Sequence, residues 1–174
     1  MEANSTPVTT TSVALRYGLL TGLVSVIVSF ALNVLHLEQS PARWLSLLIL
    51  AGGIWLAQHF YKQHNGGYMS YGEGMGIGML LALVSSVIGA IFSYIYVSFV
   101  DNDAITRMLD KARADMESRG GVSDEQIDQA MQMTAKFMTP GFIALFVVLF
   151  SLLFGLVLSL VISAIVKNSK PEFE

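Results

Sequence analysis

The run from Tyr71 to Val100 constrains this chain more than any other feature: thirty residues, nearly all apolar, with Glu73 as the single charged side chain. As a helix it rises about 45 Å, whereas the hydrocarbon core of a bilayer is about 30 Å thick. A membrane helix of this length is expected to tilt and to keep its first turn among the headgroups. Ser70 followed three residues later by Glu73 is a capping box. The serine oxygen accepts from the N–H of residue 73, and the glutamate reaches back to the N–H of Ser70. Gly72, Gly74, Gly76 and Gly78 follow. Each glycine costs a helix about 1 kcal/mol relative to alanine, an expense a membrane helix offsets where it must approach its neighbours closely.

The rest of the chain fits the same class. Of 174 residues, 53% are hydrophobic and 13% charged, about half the charged share of a soluble domain. No cysteine is present, which excludes disulfides, thiolate nucleophiles and cysteine-ligated metal. Apolar runs at about 13–35, 44–61, 71–100 and 142–166 read as four spans. Trp44 and Tyr61 bracket the second as interfacial anchors, and Pro140 suits the first helical position of the fourth. Residues 1–12, rich in Thr and Ser, read as a disordered tail. They lack the basic segment of a secretory signal, so the first run is expected to stay in the mature protein. Residues 13–168 read as one domain and 169–174 as a tail.

Residues 101–138 break the pattern, with five basic and eight acidic side chains that account for the whole net charge of −3. Ile105, Met108, Leu109, Ala112 and Met116 recur at helical spacing, and Gly120-Gly121 ends that helix. Ser123 with Gln126 opens another by a second capping box, and its stripe is Ile127, Ala130, Met131, Thr134 and Met138. Two amphipathic helices in a hairpin over 103–138 are expected. They would pack on each other, lie on the membrane or bind a partner. No basic patch points to nucleic acid. The expected fold is all-α: an integral membrane four-helix bundle with an amphipathic helical hairpin between the third and fourth spans.

Small residues recur every four positions in three of the spans. The third carries Gly74, Gly78, Ala82, Ser86 and Ala90; the fourth carries Ser151, Gly155, Ser159 and Ser163. Gly72 and Gly76 form a shorter row nearly opposite the first. The first span carries Thr21, Ser25 and Ser29, with Gly18 and Gly22 beside them. Helices solvated by lipid associate through close van der Waals contact and Ser/Thr hydrogen bonds. These rows therefore read as packing ridges, with the third span central and the fourth its closest neighbour.

Candidate sites are few. Ser70 and Glu73 read as a cap, with a proton or cation site at Glu73 as the alternative, because carboxylates inside membranes are costly and functional. His36, His59 and His64 do not form the compact set of three or four ligands a metal needs. Asn33 either bonds across helices or ends the first one. Methionines at 108, 116, 131, 133 and 138 suit hairpin packing or an adaptable binding surface. The loop from Lys62 to Glu73, with His64, Tyr68 and Tyr71, is the one place an enzyme site would fit. No catalytic residue, metal or cofactor is expected.

The order of elements, the Gly66-Gly67-Tyr68-Met69-Ser70-Tyr71-Gly72 entry and the Phe137-Met138-Thr139-Pro140 step resemble the domain-of-unknown-function family 4199. These are small four-helix membrane proteins common in Bacteroidota. The resemblance covers roughly residues 12–168. It implies a bacterial inner-membrane protein and supplies no activity. The expected function is a non-enzymatic scaffold, assembly or regulatory subunit working through helix packing and the 101–138 hairpin. Its partners would be the lipid bilayer and either another protein or a second copy of the chain. The runner-up is a small transporter or channel component. Arg43, Arg107, Lys111, Arg113, Arg119 and Lys136 outnumber Arg16, Lys62, Lys167 and Lys170, but the latter lie closer to span ends, where charges weigh most, so cytoplasmic termini are expected.

Overall fold

The computed structural model describes residues 8–170 except 36, 38, 39 and 122, with the backbone alone of Arg43. His36, most of the N-terminal tail and residues 171–174 of the C-terminal tail lie outside the described residues. Six α-helices carry the described chain: α1 (Thr10–Val34), α2 (Leu45–His64), α3 (Tyr71–Ile95), α4 (Ala104–Arg119), α5 (Asp124–Phe137) and α6 (Pro140–Val166). A 3-10 turn at Pro41–Trp44 leads into α2, and a π turn at Tyr96–Val100 ends α3. α1, α3 with its π turn, and α6 are long and apolar enough to cross a membrane. α2 is not among these three; its last two turns hold Gln58, His59, Lys62 and His64.

α1 begins earlier than its apolar run. The side chain of Thr9 accepts from the N–H of Ser12 as an N-cap, so Thr10–Ser12 are helical and the expected tail of residues 1–12 is corrected there. A cap satisfies N–H groups that would otherwise be orphaned, which outweighs the modest helix propensity of Thr and Ser. Asn33 lies in the last turn of α1, and its side-chain amide donates to Ser29 O of the same helix at 2.7 Å.

The chain divides into two compact units, Met1–Gly89 with Val148–Glu174, and Ala90–Val147. In the first, α1 and α2 pack on the first part of α3 and the last part of α6. A cluster of Val13, Ala14, Leu50, Ile54, Ala57, Tyr61, Met69, Ile77, Leu81, Ala82 and Val166 fills its interior. Large apolar side chains also point outward: Ile27 of α1 is 67% exposed and Ile165 of α6 75%, with Leu19, Leu23, Leu153, Val157 and Val161 similarly bare. An apolar surface of this extent on three sustained helices suits hydrocarbon, not water.

α3 has two packed faces. One carries Gly74, Gly78 and Ala82 against α6. The other carries Leu81, Val84, Ser85 and Ile88 against α1. There the small residues belong to the partner: a Cβ on Gly18 would lie 2.8 Å from Val84 Cβ, and one on Gly22 would lie 2.7 Å from Ile88 Cδ1. Ser85 Oγ donates to Gly18 O at 2.9 Å across this contact. Gly72 and Gly76, expected to face a second neighbour, have nothing within 4 Å of a built Cβ. The closeness of the second face comes from glycines on α1, so it left no small-residue row on α3 itself.

In the second unit, Asp101 N–H donates to Tyr96 O at 2.9 Å, closing the π turn. The Asp101 carboxylate pairs with Arg107. α4 ends at Gly120, whose φ of 65° suits glycine, and α5 starts with the reciprocal Ser123–Gln126 capping box. α4 and α5 are tied by Arg113, which bonds Glu117 at 3.0 Å and Asp128 at 2.8 Å. These two hydrogen bonds, Glu117 first, raise the Arg113 pKa above its ordinary value. Such exposed pairs contribute little; Ile127, buried, and the half-buried Leu109, Ala112, Met116 and Met131 supply the apolar part. Met108, assigned to the inner stripe from its spacing, is 44% exposed. Met133 is 65% exposed and Phe137 52%.

Candidate functional site

A seam of polar groups runs along the first unit where α2, α3 and α6 meet. Its outer end is the loop between α2 and α3. Gly66 and Gly67 hold positive φ, and Gly67 N–H donates to Lys62 O at 2.9 Å, so α2 stops and the chain turns directly into α3. Ser70 N–H donates to Glu73 Oε2 at 2.7 Å and Glu73 N–H to Ser70 Oγ at 3.3 Å. The other carboxylate oxygen, Oε1, accepts from the Tyr61 hydroxyl at 2.7 Å. Glu73 thus caps its own helix and also ties it to α2.

The end of α6 closes over this loop. Met69 and Asn168 exchange two backbone hydrogen bonds of 2.9 and 2.8 Å, and the Asn168 side chain donates to Gly67 O at 2.9 Å. Lys62 Nζ donates to Val166 O at 2.9 Å, placing a cation at the negative end of α6. Lys170 lies 5.7 Å from the Tyr68 ring centroid, and the Arg16 guanidinium lies 5.8 Å from that of Phe60.

One turn inward the seam is fully buried. Gln58, on the same face of α2 as Tyr61, donates from Nε2 to Gly74 O at 3.0 Å and to Ser163 Oγ at 2.9 Å. One amide therefore joins three helices. Gly74 and Ser163 face each other, and so do Gly78 and Ser159 and, a further turn in, Ala82 and Gly155. Ser86 is buried and donates to Leu83 O of its own helix at 2.8 Å. Ser151 is half-buried. Ala90, half-buried, belongs to the second unit.

The loop considered for an enzyme site has these contacts. His64 Nδ1 lies 2.9 Å from Phe60 O, Asn65 donates to Tyr68 O at 3.0 Å, and Tyr71 is 38% exposed. His59 stacks on Trp55 with ring centroids 5.2 Å apart. Among the described residues no group of three His, Asp or Glu could hold a metal ion. Sequence reasoning passed over Gln58 and Asn168, and it read Tyr61 only as an interfacial anchor and Met69 only as part of a motif. Gln58 carried a legible signal: an amide inside an apolar helix needs partners, since unsatisfied polar groups are expensive there. Asn168 carried none, because it follows the last span and bonds largely through its backbone.

An all-α chain with three helices of membrane-crossing length and polar side chains turned inward defines a membrane protein. Residues 16–168, nearly the whole chain, match the family described as Protein of unknown function (DUF4199), and the chain belongs to it. No curated protein and no solved structure matches.

Proposed function

We propose that this chain is a four-span protein of the bacterial inner membrane that acts as a scaffold, assembly factor or regulatory subunit and carries out no chemistry of its own. In this reading α2 is the fourth span, with its polar end at the headgroups beside the start of α3. The observation that carries the reading is the hairpin. α4 and α5 are strongly charged helices, yet Met108 and Met133 stand exposed on them. Flexible, polarisable methionines suit an adaptable protein contact. A photo-crosslinker at Met133 in native membranes tests it: a stoichiometric protein adduct, or a second copy of the chain, is expected. Adducts to lipid alone overturn it.

Arg16, Lys62, Lys167 and Lys170 gather where α1 begins and where α2 and α6 end, which favours a cytoplasmic face there. A reporter fused after Ser118 should then be active outside the cytoplasm; activity only inside reverses the orientation.

A transporter or channel component is the second reading. It is favoured by two buried polar atoms without partners, Gln58 Oε1 and Ser159 Oγ, lying inward of Glu73. Proton or cation flux in proteoliposomes, abolished by Glu73→Gln in a folded protein, would select this reading over the first.

A further inference from the structure

The polar groups of the buried seam do not balance. Gln58 and Ser159 are both fully buried, yet Gln58 Oε1 and Ser159 Oγ have no hydrogen-bond partner. Turning the amide over does not mend this. The Gly74 carbonyl can only accept, so the atom facing it at 3.0 Å must be the donor Nε2, and the oxygen is left as the orphan. Ser163 Oγ accepts from the same amide at 2.9 Å and keeps its own hydrogen to give.

The two orphans belong to adjoining layers of one seam. Gln58 reaches Gly74 and Ser163. One turn in, a Cβ on Gly78 would meet Ser159 and lie 3.3 Å from Ile54 Cγ2; Ile54 precedes Gln58 by one turn of α2. A helical turn is about 5.4 Å, roughly the span of a water hydrogen-bonded on both sides. An internal water needs about two to four polar partners. Gln58 Oε1, Ser159 Oγ and the Ser163 hydroxyl supply an acceptor and two hydroxyls that can give or take.

We propose that Gln58 Oε1 and Ser159 Oγ share one internal water, held between α2, α3 and α6 beside Gly78. Water donates to Oε1, which leaves it a second hydrogen and two lone pairs for the serines. This makes the junction of α2, α3 and α6 a hydrated joint. The absence of a side chain at Gly78 is what leaves Ser159 its place there.

A crystal structure of the full chain grown from a lipidic phase, at a resolution that displays water, tests the site directly. A peak within hydrogen-bonding distance of both Gln58 Oε1 and Ser159 Oγ is expected. A dry seam, with the serine hydroxyl turned onto the carbonyl of Gly155, overturns the proposal. A thermal double-mutant cycle in one detergent gives a second readout. The two side chains share no direct hydrogen bond, so a common water predicts that Ser159→Ala shifts Tm less in the Gln58→Met background than in the parent. Equal shifts in both backgrounds count against it.

Discussion

Gly78 and Ser159 approach so closely that a Cβ on the glycine would overlap the serine hydroxyl and lie 2.8 Å from Ser159 Cβ. Gly74 meets Ser163 in the same way, with 2.7 Å to Oγ. α3 and α6 are therefore in contact at backbone range, and no side chain can be added between them without moving a helix.

Substitution at Gly78 should be felt at once. Overpacking typically costs about 1–3 kcal/mol, and helices in lipid have no hydrophobic gain from closer approach to set against it. Gly78→Ala should lower the melting temperature in detergent and Gly78→Leu should lower it further. Leu81 lies on the other packed face, fully buried, with its carbonyl beneath Gly18. Leu81→Ala should lose about 2–5 kcal/mol as a core cavity, whereas Leu83→Ala, 42% exposed in the parent, should lose far less because lipid fills the gap. Equal losses at 81 and 83 would contradict the assignment of these faces.

The carboxylate of Glu73 serves two donors, Tyr61 and Ser70. Glutamine keeps one acceptor oxygen, and its NH2 can donate to the phenol oxygen once the Tyr61 hydroxyl turns. Glu73→Gln should therefore fold and melt within a few degrees of the parent. Tyr61→Phe removes a bond to a charged group, worth about 1.5–3 kcal/mol, and should cost more. Melting curves of both variants decide the order; a larger fall for Glu73→Gln would mean that the charge itself has a further role.

The apolar runs, the hairpin turn at Gly120 and both capping boxes could be read from local spacing, because each depends on residues within four positions of one another. What could not be read is what the tertiary fold brings together. Gln58 and Ser163 are 105 positions apart, and Gly67 and Asn168 are 101 apart; neither pair has a periodic signature. The second packed face of α3 was hidden for another reason. Its small residues, Gly18 and Gly22, sit on α1, whereas the second small row on α3 itself, Gly72 and Gly76, faces open space. The early start of α1 turned on a single cap at Thr9.

The bridge between Met69 and Asn168 joins the start of α3 to the segment after α6. Removing residues 167–174 deletes both backbone bonds and the Asn168 amide bond to Gly67. Each is worth about 1 kcal/mol, so the truncated chain should melt lower and its Met69–Ser70 amides should exchange faster with solvent. Asn168→Ala keeps the backbone pair and should show a smaller change. Unchanged exchange at residues 69–70 in the truncated chain would show that the bridge does not hold the loop.

The register between α3 and α6 gives the most specific prediction. Gly74 faces Ser163, Gly78 faces Ser159 and Ala82 faces Gly155; each step of four along α3 is matched by a step of four back along α6. The helices run antiparallel, and the same rule pairs Ser86 with Ser151. Ser86 is buried and Ser151 half-buried, and serine is close to cysteine in size, so both positions accept the change. Cysteines at Ser86 and Ser151 should form a disulfide under mild oxidation, with no native cysteine to compete. A disulfide needs Cα atoms within about 7 Å. Cysteines at Ala82 and Ser159, one turn out of step, should therefore crosslink more slowly. Faster crosslinking of the 82–159 pair than of the 86–151 pair would shift the register by one turn and separate Gly78 from Ser159.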